Sequence, residues 1–125
     1  MLRLIFALLV ATAAVPAAIA AAAAPVTQFD GRWSVSIVTD KGSCDRAYRY
    51  GLEIRNGVVS YVGDNAFDIS GQVNRSGYVH VRVARGSSYA DGHGRLSRDG
   101  GSGVWRGVGS GSCSGTWTAE RRPQG

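Results

Sequence analysis

Two histidines, His80 and His93, carry charged or phenolic residues at a spacing of two: Tyr78, His80, Arg82 on one side and Tyr89, Asp91, His93, Arg95 on the other. A turn at Gly86-Ser87 makes these two runs an antiparallel hairpin, with His80 opposite His93, Arg82 opposite Asp91 and Tyr78 opposite Arg95. All seven then point away from the Val79, Val81, Val83 row and share one outward face. Opposed imidazoles could share a metal ion, and arginine among tyrosines is a common anchor for a binding partner. No third ligand accompanies the histidines, because Arg82 competes for Asp91. A solvated face with one cross-strand ion pair accounts for the same residues. The seven residues are the candidate binding face, with His80 and His93 the candidate metal ligands.

Other chemistries find little support. No serine stands in a Gly-x-Ser-x-Gly nucleophile elbow. The Gly107–Gly111 run has the composition of a phosphate loop but lacks its Lys-Ser/Thr and its helix. Asp30, Asp40, Asp45, Asp64 and Asp99 fall at turns or on outward rows and read as turn formers. No catalytic residue and no cofactor is assigned, and the reading is non-enzymatic.

The elements that position this face are strands. Trp33, Val35 and Ile37 alternate with Arg32, Ser34 and Ser36, and Thr39–Ser43 reads as a turn. Tyr48, Tyr50, Leu52 and Ile54 form the next apolar row. Asn56-Gly57 then predicts a type I′ hairpin, which pairs Arg55 with Val58, Ile54 with Val59 and Leu52 with Tyr61. Phe67, Ile69, Gly71 and Val73 follow, then a turn at Asn74–Gly77 and the histidine hairpin. Ser97–Gly101 reads as a turn before strands near Gly103–Gly109 and Cys113–Arg121. Three Gly-x-Trp steps, at Trp33, Trp105 and Trp117, predict tryptophans lying over bare glycines.

Eight short strands joined by short turns predict an all-β antiparallel meander, closed or partly open as a small barrel, with a two-sheet sandwich as the alternative. Cys44 follows the first strand and Cys113 opens the last. Pairing them brings the two ends of the meander together and avoids exposed edges.

The N-terminus predicts export. Arg3 precedes an apolar run, Leu4–Val15, too short to span a bilayer comfortably, and Ala18-Ile19-Ala20 is a small-x-small cleavage motif. Residues 1–22 read as a signal peptide, 23–28 as a linker, 29–122 as one domain and 123–125 as a tail. An oxidising compartment, periplasmic or extracellular, makes a Cys44–Cys113 disulfide the default. Removing Arg3 with the leader takes the 14 basic residues to 13 against 9 acidic, a net charge of +4. These charges are scattered rather than clustered, which argues against nucleic acid as a partner. The strands are too short for an outer-membrane barrel and show no outward aromatic girdle. After removal of the leader the chain is expected not to span a membrane.

FDGRW near the start, GRL…GSGVW in the middle and CSGTWTAERR at the end resemble small exported bacterial β-proteins of unknown function, whose labels mention haem utilisation or adhesion. The chain is more loosely similar to periplasmic inhibitors of secreted metalloproteases, small exported eight-stranded barrels with an early Trp, a disulfide and an inhibitory N-terminal segment. It departs from them in its long-range cysteine spacing and its alanine- and proline-rich start. The expected function is binding or envelope association, with a protein or small-molecule ligand unspecified. Protease inhibition is the alternative.

Overall fold

The computed structural model describes residues 5, 7–14, 24–63, 67–109 and 111–123. The predicted cleavage motif, Asp64-Asn65, Ser110 in the glycine run and the last two residues of the tail lie outside these. The fold is a closed barrel of eight antiparallel strands: β1 Gly31–Lys41, β2 Ala47–Arg55, β3 Val58–Tyr61, β4 Asp68–Val73, β5 Tyr78–Arg85, β6 Ser88–Leu96, β7 Gly100–Val108 and β8 Ser112–Arg121. Each strand pairs with its sequence neighbours, and β1 pairs with β8 to close the ring, Val35 opposite Ala119 and Ile37 opposite Trp117. Closure rather than a sandwich follows from this last ladder, which removes both edges of the meander.

Local sequence fixes the register. Asn56 (φ 54°) and Gly57 (φ 78°) both adopt the left-handed conformation that a type I′ turn demands. The pairs Arg55–Val58, Ile54–Val59 and Leu52–Tyr61 form as that turn predicts. Because side chains alternate, one such turn commits every following residue of both strands to the lumen or to solvent.

Two predicted turns are shorter in the structure. β1 continues to Lys41, where a bulge between Thr39 and Lys41 absorbs Asp40 against β8. The Thr39 N–H also donates to the Arg46 carbonyl at 2.9 Å, extending the ladder with β2. Gly100 and Gly101 are strand residues opposite Glu120 and Ala119, since the Ser97 N–H closes a tight turn on the Gly100 carbonyl at 2.7 Å.

The two ends of the barrel differ. One end is sealed by Phe29 (5 % exposed) and Trp33 (2 % exposed), packed with Ile54, Val59, Val73, Val79 and Leu96. The Trp33 indole N–H donates to the Phe29 carbonyl at 2.8 Å. Arg121 stacks on the Trp33 ring and donates to the Gln28 and Asp30 carbonyls. The segment expected as a linker is, from Ala24 onward, bonded across this end: Arg75 donates to the Ala24 carbonyl and Gln28 to the Arg75 carbonyl. At the other end the Cys44–Cys113 disulfide ties the loop after β1 to the start of β8, with the two Cα atoms 6.1 Å apart. Among the described residues no helix is long and apolar enough to cross a membrane.

Candidate functional site

The lumen between the sealed end and the disulfide is not filled. The inward rows of β6, β7 and β8 contain Gly92, Gly94, Gly101, Gly103, Gly107 and Gly115, which contribute no side chain to the centre. Two tryptophans lie against this bare wall. Trp117 crosses Gly103 and Gly94, and its indole N–H donates to the carbonyls of Val104 on β7 at 3.2 Å and His93 on β6 at 3.1 Å. A Cβ built at Gly103 would stand 2.7 Å from the Trp117 ring. Trp105 crosses Gly115 in the same way and donates to the Val38 carbonyl of β1 at 3.0 Å. The glycines thus let both indoles lie along the wall instead of projecting inward. Their N–H groups are satisfied by the sheet, and both side chains line the lumen.

The opposite wall carries an aromatic cluster. Tyr48 and Tyr50 on β2, Tyr61 on β3 and Phe67 before β4 pack in tilted and edge-on pairs 5.6–6.1 Å apart. Between the two walls lies a cavity of about 370 Å³, floored by Trp33 and Leu96 and lined in its middle by Val81 and Val83. It opens at the disulfide end, where Thr39, Asp45, Tyr48, Phe67 and Arg85 stand around the mouth. An eight-stranded barrel is just wide enough to hold one small ligand in this way. Burial, with a smaller contribution from Tyr48, pushes the Tyr50 phenol up to about 12. Its neutral form is favoured by the fold, and that contribution to stability is lost only as pH rises from about 10 toward 12.

Sequence reasoning missed this site, although signals for parts of it were present. Arg85, just before the Gly86-Ser87 turn, is the next member of the Val79, Val81, Val83 row and pairs with Ser88 as the last step of the β5–β6 ladder. Asp45, read as a turn former, belongs to the loop whose carbonyl accepts from Thr39 Oγ1 at 2.6 Å, and it borders the mouth.

The predicted outward face forms with the expected register: Tyr78 opposite Arg95, His80 opposite His93 and Arg82 opposite Asp91. Its members bind one another. Arg82 donates two hydrogen bonds to Asp91, both 2.9 Å, and stacks over the Tyr89 ring. The Tyr78 hydroxyl lies 3.2 Å from His93 Nδ1, and His80 Nε2 lies 3.5 Å from Asp91 Oδ1. The imidazoles stack nearly parallel, with centroids 4.6 Å apart and planes at 12°. Nitrogen lone pairs lie in the ring plane, so parallel stacked rings do not aim them at one ion. Among the described residues no group of three His, Cys, Asp or Glu side chains could hold a metal. Neither histidine reaches the lumen, because both occupy the outward register.

The hydrogen bonds from Arg82 hold the Asp91 carboxyl below the usual carboxylate range, against the opposing effect of its partial burial. A depressed carboxyl stabilises the fold above its unfolded value, and that contribution disappears as pH falls through the folded value. Asp91→Asn is therefore expected to lower the melting temperature by a few degrees near neutrality and to flatten the loss below about pH 4. Melting curves of both proteins between neutral and acid pH check this. Parallel curves at all pH values would contradict it.

Comparison with known proteins finds no matching family model, curated protein or solved structure.

Proposed function

We propose that this protein is an exported, non-enzymatic binding protein that holds a small apolar ligand inside its barrel. The observation that carries the reading is the cavity: open at one end, lined by aliphatic and aromatic side chains, and of a volume within the range of small-molecule sites. Soluble domains of this size normally fill such a space, since unfilled apolar volume is destabilising. Here the sequence keeps it open by placing glycines where bulky residues would close it.

Export is supported by the basic start and apolar run, and by the disulfide, which persists in oxidising compartments. Ile5, Leu8, Leu9 and Val10 are 70–91 % exposed, as expected of a leader that contributes nothing to the core. The likeness of the Gly-Trp segments to small exported bacterial proteins points the same way. Protease inhibition through an N-terminal arm draws less support, because residues from Ala24 onward are bonded to Arg75 and Arg121 at the sealed end. The outward histidine face remains a second candidate surface, but its charged pair is already engaged internally.

The test is titration of the oxidised protein with N-phenyl-1-naphthylamine, a neutral apolar fluorophore, followed by its emission and by quenching of tryptophan fluorescence. One site per barrel is expected. Ala90 faces the lumen from β6, so Ala90→Phe is expected to abolish binding while circular dichroism stays that of an all-β protein. Undiminished binding by a folded Ala90→Phe protein would refute the assignment.

A further inference from the structure

The cavity's walls and mouth differ in chemistry, and the difference restricts what fits. The walls offer flat π surfaces: the indoles of Trp105 and Trp117 lie along the glycine side, facing the Tyr48, Tyr50 and Phe67 rings. Flat, fixed aromatic walls favour rings, which stack or meet them edge-on, over a flexible chain that must give up torsional freedom to enter. The mouth is polar on one side. Arg85 ends the valine row of β5, and its guanidinium stands 5.6 Å from the Phe67 ring centroid. Among the described residues it makes no ion pair, in contrast to Arg82 and Arg55, each of which has a carboxylate partner. Among the described residues, Asp45 is the other charged residue lining the mouth. One cation and one anion at the rim suit a head group with a single negative charge, since a second charge would meet the Asp45 carboxylate.

Resting on the small-ligand reading above, we infer that the cavity takes a planar, ring-bearing apolar monoacid. Its rings lie between the tryptophan wall and the tyrosine cluster, and its carboxylate pairs with Arg85 at the mouth. The guanidinium can offer two parallel N–H donors to such a group.

Three probes separate the parts of this inference: naphthalene, 2-naphthoate and dodecanoate, each titrated against the oxidised protein by tryptophan quenching. 2-Naphthoate is expected to bind tightest. Because Arg85 is exposed at the rim, its pair with the carboxylate is expected to be worth roughly fivefold in affinity. Arg85→Ala should erase the advantage of 2-naphthoate over naphthalene. Arg85→Lys should keep part of it, and added salt should reduce it in the wild type. Equal binding of naphthalene and 2-naphthoate, or an Arg85→Ala protein that still prefers the acid, would overturn the role of Arg85. Preference for dodecanoate would overturn the planar ligand. In all of these outcomes the cavity still binds, so the small-ligand reading survives. Failure of every probe, together with N-phenyl-1-naphthylamine, would remove that reading as well.

Discussion

Cys44→Ser combined with Cys113→Ser is expected to lower stability by about 4 kcal/mol, the loop-entropy value for a crosslink closing a chain segment of this length. The two cysteines are 69 positions apart, so the crosslink encloses all of β2 to β7. Most of the barrel's sequence is thereby constrained in the unfolded chain, and a domain this small has little core with which to offset the loss. The bond also pins the loop that contributes Asp45 to the cavity mouth. Denaturant titration of the oxidised protein and the double variant checks the magnitude. Thiol labelling of the unfolded, unreduced wild type is expected to find no free cysteine. Superimposable titrations, or two reactive thiols in natively purified protein, would show that the crosslink contributes nothing.

The second large effect is expected at Trp117. Its indole covers Gly103 and Gly94, packs in the core and bonds two carbonyls on adjacent strands. Trp117→Ala removes that surface from above Gly94 and Gly103, which have no side chains to collapse into the space, so the loss is expected at about 3–5 kcal/mol. Gly103→Val tests the same packing from below. A Cβ there meets the Gly94 Cα and the Trp117 ring, each at 2.7 Å, and β7 cannot retreat without breaking ladders on both sides. Both variants are expected to melt well below the wild type. A Gly103→Val protein of unchanged stability would mean that the indole does not lie on the glycine wall.

Local patterns carried much of the fold in the sequence. Asn56-Gly57 specified a turn type, and the turn type specified the Leu52–Tyr61 pairing. Gly86-Ser87 did the same for the histidine hairpin, so His80 and His93 were placed opposite each other correctly. Closure of the ring was harder to read, because the β1–β8 ladder joins residues such as Val35 and Ala119 that share no local signal. The cysteine pair supplied the hint. The cavity was not legible. Gly-x-Trp spacing shows that a tryptophan has a glycine beside it, but not whether the indole fills the lumen or lies along its wall. That depends on Gly94, Gly103 and Gly115 arriving under the rings from neighbouring strands. Arg85 was hidden differently: its position beside the Gly86 turn obscured its membership of the valine row.

The pairing of β1 with β8 has an implication for attachment. Trp33 stands opposite Arg121, so the chain enters and leaves the barrel side by side at the sealed end, and the Arg122 N–H donates to the Arg32 carbonyl there. A fusion partner, an affinity tag or a surface linkage joined just before β1 or just after β8 therefore meets the barrel on its blind side. An immobilised copy presents its mouth to the surrounding solution, and the two ends are near enough to be joined and reopened at a turn such as Gly86-Ser87.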